Sequence, residues 1–204
     1  MGDVVLGQTT EEKDLGIWIT DDLKYAVQCE KAAKAANSAL GLISRSFHYR
    51  TKSVLVPLYK TFVRPKLEYA GAVWSPWMQK DREVLEKVQQ RFVRMLSDVK
   101  GESYEEKLKA VGLTSLSERR TRGDMIETFK TMRGFNRVER ENWFTVQEEM
   151  EHRPTRLNTI MVNGKPERKM EVIVGARAQL DVRRNFFTMR VEKEWNKLPE
   201  LNFG

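Results

Sequence analysis

Apolar positions change period near residue 21, and the change separates a β-patterned start from a helical body. Asp3 to Leu6 and Leu15 to Thr20 read as short strands separated by the polar stretch Gln8 to Asp14. Two strands alone are marginal in water, so this ribbon needs a helix or a larger sheet to lie against. From Asp21 the pattern predicts a long helix with Leu23, Val27, Ala36, Leu40, Ile43 and Phe47 at helical spacing. Asp21 or Asp22 would cap it, and its Ala-rich middle, Lys31 to Ala39, favours helix and permits close helix approach.

A polar turn, His48 to Lys52, precedes a second helix carrying Leu55, Leu58, Phe62 and Val63. Pro57 is expected in its first turn, and Pro65 is expected to kink or restart it. Leu67 to Trp77 is apolar and aromatic, which makes Tyr69, Val73 and Trp74 candidates for the deepest core. Ser75-Pro76 ends that segment. A third long helix from about Asp81 places Leu85, Val88, Phe92 and Leu96 on one stripe. Capping-box patterns open two more helices, Ser103 to Glu106 for one that stops at Gly112 and Ser115 to Glu118 for one that stops near Gly134. The second of these carries Leu116, Ile126, Phe129 and Met132. Further on, Asn142 to Gln147 and Leu157 to Val162 read as strands, and Asn163-Gly164 is a hairpin turn leading towards Met170 to Val174. The polar stretch Glu139 to Asn158 is expected to be partly disordered in isolation. Asp181 is expected to cap a closing helix with Phe187, Val191 and Trp195, ended by Leu198-Pro199. The fold class is therefore mainly α, a helical bundle with a short N-terminal β ribbon and a small C-terminal β-hairpin plus helix. The expected division is 1–20, 21–134 and 135–204.

Charge changes this picture more than composition does. The 204 residues hold 36 Lys+Arg against 29 Asp+Glu, a net charge of +7, which favours polyanionic partners through counterion release. The cations form clusters. Arg45, Arg50 and Lys52 bracket the end of the first long helix; Lys60, Arg64 and Lys66 follow on the second. Arg91 and Arg94 lie off the apolar stripe of the third. Arg119, Arg120, Arg122, Lys130 and Arg133 crowd the last, and all but Arg120 fall within about one face, suited to tracking a phosphate backbone. Interleaved Glu and Asp residues give the competing reading, an ordinary solvated face.

Metal and hydrolytic chemistry find little here. The two histidines, His48 and His152, lack ligand-spaced neighbours, and there is no glycine-rich phosphate loop or activated-serine elbow. Cys29, the single cysteine, reads as an inert helical residue without an internal disulfide partner. Asp21-Asp22 resembles a metal-binding aspartate pair, but helix capping explains it more economically. No catalytic residue, metal site or cofactor is assigned, and no small-molecule substrate is expected. The start has no signal-peptide pattern, the myristoylation pattern fails at Leu6, and no apolar run reaches the length of a membrane span. A chain in a reducing compartment, cytoplasmic or nuclear, with no membrane partner, is the expectation.

Several phrases occur in an order that resembles the C-terminal part of LINE-type non-LTR retrotransposon reverse transcriptases of the jockey and chicken-repeat kind. They are Glu12-Lys13-Asp14-Leu15-Gly16-Ile17; Leu58-Tyr59-Lys60 with Val63-Arg64-Pro65-Lys66-Leu67-Glu68-Tyr69; and Val73-Trp74-Ser75-Pro76. Leu85-Glu86-Lys87-Val88-Gln89 and Leu113-Thr114-Ser115-Leu116 follow, then Arg119-Arg120-Thr121-Arg122-Gly123-Asp124. Phe186-Phe187, Arg190-Val191 and Trp195-Asn196-Lys197-Leu198-Pro199 close the series. Glu151-His152-Arg153-Pro154-Thr155-Arg156 departs from the family's phrase at that place.

The resemblance implies that residues 1–20 correspond to the last palm strands, that 21 to about 97 form a thumb-like helical bundle holding template–primer duplex, and that the remainder is the C-terminal extension. It also implies that the metal-binding aspartates lie upstream, so that this part is a non-catalytic fragment of an RNA-directed DNA polymerase. Its partners would be RNA or an RNA–DNA duplex, with an upstream palm domain or a protein partner as further candidates. Under it Arg119, Arg120 and Arg122 become the leading phosphate contacts, with pairing to Asp124 or Glu118 as the alternative, while Arg64-Pro65 and Trp74-Ser75-Pro76 become structural. The competing function is a helical protein–protein interaction module derived from a mobile element, with no nucleic-acid role.

Overall fold

The computed structural model describes residues 7, 9–101, 103–147, 159–162, 165–168, 172–175 and 177–198, with the backbone alone for Gln147, 159–162 and 165–168. The chain is mainly helical and divides into two compact units, Met1–Arg120 and Thr121–Gly204. The dividing point falls within a helix, seventeen residues long, that opens at Leu116.

Unit 1 begins with an antiparallel hairpin, β1 (Glu11–Asp14) and β2 (Ile17–Thr20), in which Asp14 pairs with Ile17. The intervening Leu15 and Gly16 have φ of 45° and 87°, as a two-residue turn matched to strand twist requires. The polar stretch expected to separate two strands is thus itself the first strand, and the Asp3 to Leu6 run lies outside the described residues. The hairpin rests on α1 (Ala26–Ser46), where the amide of Trp18 donates to the side chain of the buried Gln28.

The aspartates expected to cap α1 do not. Tyr25 stands at the N-cap, and Asp22 instead accepts from the Lys24 amide and the Thr20 hydroxyl, closing a turn in which Leu23 has φ 53°. These two bonds, the Lys24 amide first, hold the exposed Asp22 carboxyl below its ordinary pKa.

After α1 the chain forms one interrupted helical rod: α2 (Lys52–Leu58), a π-helical stretch Tyr59–Val63, and α3 (Arg64–Glu68). Pro65 supplies the reason. It has no N–H for the Thr61 carbonyl and its ring crowds that carbonyl, so the rod widens for a turn and restarts with Pro65 in its first turn. The widening places Tyr59 and Val63, four positions apart, both fully inside, and leaves Phe62 outside. Pro57 lies inside α2 rather than in its first turn.

α3 ends where Ala70 takes a left-handed φ of 51°. That reversal drops Trp74 into the core at 0% exposure, its indole N–H donating to the Tyr69 carbonyl at 2.6 Å. It turns Tyr69 and Val73, both expected in the deepest core, outward at 56% and 57% exposed. The Tyr69 hydroxyl instead donates to the Leu15 carbonyl and ties this corner to the hairpin turn.

α4 (Gln79–Arg94) packs along α1, and its Leu85, Val88 and Phe92 are buried together with Leu96 beyond its end, as their spacing predicts. α5 (Tyr104–Val111) opens with the Ser103/Glu106 capping box and ends at Gly112 in the left-handed conformation. α6 (Leu116–Met132) has the same reciprocal bonds between Ser115 and Glu118. Gln89, 0% exposed on α4, accepts from the Tyr59 hydroxyl and donates towards the Thr114 carbonyl and the Tyr104 hydroxyl. Beside it Glu86 accepts from the Leu116 amide and the Tyr104 hydroxyl. Burial drives the pKa of Tyr59 far up, and burial followed by the Glu86 bond does the same for Tyr104, so both hydroxyls stay neutral donors.

Unit 2 takes the rest of α6, a short 3-10 turn (Arg140–Asn142), and two separate antiparallel pairs. β3 (Val146–Gln147) pairs with β6 (Val172–Ile173), and β4 (Thr159–Val162) pairs with β5 (Lys165–Arg168). Val162 and Lys165 are register partners, as the Asn163-Gly164 turn predicts, although those two residues lie outside the described set. The hairpin partner is therefore Lys165–Arg168, and the segment expected to complete it, near Val174, joins β3 instead. Most of the Glu139 to Asn158 stretch, including His152, lies outside the described residues.

The expected closing helix is broken into α7 (Asp181–Arg184), α8 (Phe187–Arg190) and α9 (Glu192–Lys197), with Asp181 in the first turn and Leu180 at the N-cap. Asn196 on α9 both donates to the Ile173 carbonyl and accepts from its amide, so one side chain takes the place of a further strand along β6.

Gln89→Leu keeps the volume but strands the Tyr59 hydroxyl and the Thr114 carbonyl. It is expected to destabilise unit 1 by about 2–4 kcal/mol in denaturant unfolding, at 1–3 for each unsatisfied group. A variant as stable as the wild type would show that this network does not hold the core.

Candidate nucleic-acid interface

The arginines that the sequence ranks highest for phosphate contact face inward. Arg119 makes a bidentate pair with Glu68, through its Nε and, at 3.0 Å, its Nη2. The Glu68 bond comes first among the causes that raise the pKa of Arg119, so the guanidinium is permanently charged there. Arg64 lies 3.7 Å from the same carboxylate, one helical turn away on α3. Arg120 donates to the Leu67 carbonyl at 2.6 Å and lies over the Trp74 ring at 4.9 Å. Together Arg119 and Arg120 fasten the start of α6 to the α3 corner, and the carboxylate that Arg119 pairs with is Glu68, not Asp124 or Glu118. Asp124 has its own partner, Arg190, through two bonds of 2.8 and 2.9 Å, with side-chain exposures of only 8% and 15%.

A different group of cations is left facing solvent. Arg45, Arg50, Lys52, Lys60, Lys66, Arg91, Arg94, Arg122 and Arg133 are exposed, and among the described residues no carboxylate lies within ion-pair distance of them. Lys130 is also exposed but sits 3.7 Å from Glu127.

Four of these converge at one end of the unit 1 bundle. Arg45 lies in the last turn of α1 and Arg94 in the last turn of α4, where cations complement the helix dipole. Arg50 and Lys52 sit on the connection between α1 and α2. That connection is tied to the end of α4, because the Arg50 carbonyl accepts from the Ser97 amide at 2.9 Å and from its hydroxyl at 3.2 Å. Asp98, at this junction, accepts from the Lys52 amide with both carboxylate oxygens, at 2.9 and 3.1 Å. Asp98 keeps its charge while capping this backbone, so four side-chain cations face one carboxylate at this end among the described residues. Arg91, one turn back on α4, reaches Asn37 of α1 at 3.4 Å. Lys60 lies on the π stretch and Lys66 on α3, and Arg122, Lys130 and Arg133 belong to unit 2.

Sequence reasoning passes over Asp98, whose capping role needs a partner 46 residues away. It also passes over the Ser97 contact that brings Arg50 to Arg94. No local signal points to either.

Cys29 is fully buried and burial pushes its thiol up to about 12. Among the described residues no group of three or more His, Cys, Asp or Glu side chains is placed to hold a metal ion, and no helix is long and apolar enough to cross a membrane. Comparisons with protein-family models, with curated proteins and with solved structures find no match.

Arg190→Ala leaves the Asp124 carboxylate buried without its partner and is expected to cost about 3 kcal/mol or more of unit 2 stability, as for other broken buried pairs. Arg122→Ala, on an exposed side chain, is expected to stay within about 0.5 kcal/mol. Equal effects in thermal unfolding would contradict this division. Because burial raises its pKa to about 12, the Cys29 thiol is neutral at pH 8, so alkylation there should be negligible until denaturant is added.

Proposed function

We propose that unit 1 is a phosphate-binding helical module for duplex or structured RNA, and that it contributes binding rather than chemistry. The observation that carries this reading is the basic end of the bundle, where Arg45, Arg50, Lys52 and Arg94 meet and Asp98 is occupied with the Lys52 amide. Phosphate oxygens are acceptors without donors, so a cluster in which guanidinium and ammonium groups outnumber carboxylates suits them.

The ordered phrases support a more specific version. The chain would serve as the thumb and C-terminal extension of a LINE-type RNA-directed DNA polymerase, holding template–primer while an upstream palm performs nucleotidyl transfer. Several of the shared phrases are spent on architecture in this fold. Pro65 sets the π turn, Trp74 fills the core, and Gln89 joins the π stretch, α5 and the link into α6 to α4. In this reading Arg119 and Arg120 hold the α3–α6 corner, and the phosphate-contacting role moves to the basic end.

Binding of a short RNA duplex, measured by anisotropy over a salt series, is expected to weaken steeply with a log–log slope of about −0.9 per phosphate engaged. Replacing Arg45, Arg50 and Arg94 together by Ala should flatten that slope by about 2–3 while the chain stays folded, with only a small drop in melting temperature from the lost helix-end charges. A flat salt dependence in the wild type, or an unchanged slope in the triple variant, would overturn the proposal. Replacing Arg119 and Arg120 should lower stability first, with lost binding following lost fold.

A further inference from the structure

Unit 1 also carries a groove whose lining differs from that of the basic end. It runs beside α1 from Gln28 to Ser46, with the β1–β2 hairpin at one end and the α2–α3 rod as its far wall, and encloses about 820 Å³. At about 1.5 Å of rise per residue, that stretch of helix is roughly 28 Å long. Its floor is made shallow by small side chains, Ala35 and Ala39 among them, while Leu42, Phe47 and Phe62 stand along it at 61%, 38% and 55% exposed. Apolar side chains of that size, exposed together on a described surface, mark a place for another apolar face. The hairpin end is fixed by the bond from Tyr69 to the Leu15 carbonyl.

Among the described residues three charged side chains line the groove, Lys13, Lys31 and Lys66, and no carboxylate does. Lys13 and Trp18 are cross-strand partners on the hairpin, and Lys31 lies 4.3 Å over the Trp18 ring, which holds that ammonium at the rim. An apolar trough one helix long, with a cationic rim, selects by charge and by shape.

We propose that this groove is a docking site for an amphipathic helix of a partner protein, one whose apolar stripe is flanked by Asp and Glu. The apolar stripe would lie on Leu42, Phe47 and Phe62, and its acidic flanks would meet Lys31 and Lys66. The lining favours a helix over a nucleic-acid strand, since phosphates gain nothing from a trough of alanine, leucine and phenylalanine. The lining includes none of Arg45, Arg50, Lys52 and Arg94, so either proposal can fail alone.

The test uses the full chain and a fluorescent peptide of about 18 residues, with leucine at i, i+3, i+4 and i+7 spacing and glutamate elsewhere. Controls are a sequence-scrambled peptide and one with lysine for every glutamate. Micromolar binding of the first peptide alone is expected. Ala35→Trp, at an exposed position, should fill the trough and abolish it. Lys31→Glu with Lys66→Glu should weaken it about tenfold without touching the trough's shape, which keeps the test decisive if the tryptophan variant misfolds. No binding, equal binding of the lysine peptide, or binding indifferent to both sets of variants overturns the proposal. So does an RNA strand whose binding, rather than the peptide's, is lost in Ala35→Trp.

Discussion

The buried amide of Gln89 is the contact on which most of unit 1 depends. It sits at 0% exposure in the core, where an unsatisfied amide costs more than a satisfied one contributes. Its partners come from the π stretch, from α5 and from the link into α6, so each of those segments is held at a set height along α4. Tyr59 adds a stacked contact with Phe92, ring centres 4.1 Å apart, on the same side of the node. The π turn enforced by Pro65 brings Tyr59 to this point, so one backbone defect and one buried polar side chain depend on each other.

From that node the roles of the charged residues follow. With α3 and the start of α6 held next to one another, Glu68 comes within reach of both Arg64 and Arg119, and the Leu67 carbonyl within reach of Arg120. These partly buried guanidinium contacts reinforce the corner. Exposed cations of unit 1 include Arg45 and Arg94 at helix ends and Arg50 and Lys52 on the α1–α2 connection, while Lys31, Lys60 and Lys66 lie along α1 and the rod. The fold therefore separates the structural arginines at the α3–α6 corner from the solvent-facing cations, four of which lie where α1 and α4 end.

Much of this architecture is legible in local chemistry alone. The stripe Leu85, Val88, Phe92 and Leu96, the capping boxes at Ser103 and Ser115, and the stop at Gly112 depend only on neighbours within a few residues, and all are present. The errors share a cause. Asp22 reads as a helix cap, yet it closes a turn ahead of the helix because Leu23 adopts a left-handed conformation no pattern signals. Tyr69 reads as core, but the Ala70 reversal sends it to the hairpin turn. Arg119 and Arg120 share a helix with exposed cations and cannot be told from them without Glu68 and Leu67, more than fifty positions away. Net charge is readable along the chain; which charges are free depends on long-range pairing.

The most direct test of that sorting is a hydrogen-exchange footprint of the full chain with and without a short RNA duplex at low salt. Slowed exchange is expected on amides of the α1 end and the following connection, residues 44–52, and of the α4 end, residues 91–98, with the start of α6 around 117–120 unchanged. Protection concentrated on the start of α6, with the basic end unaffected, would contradict it.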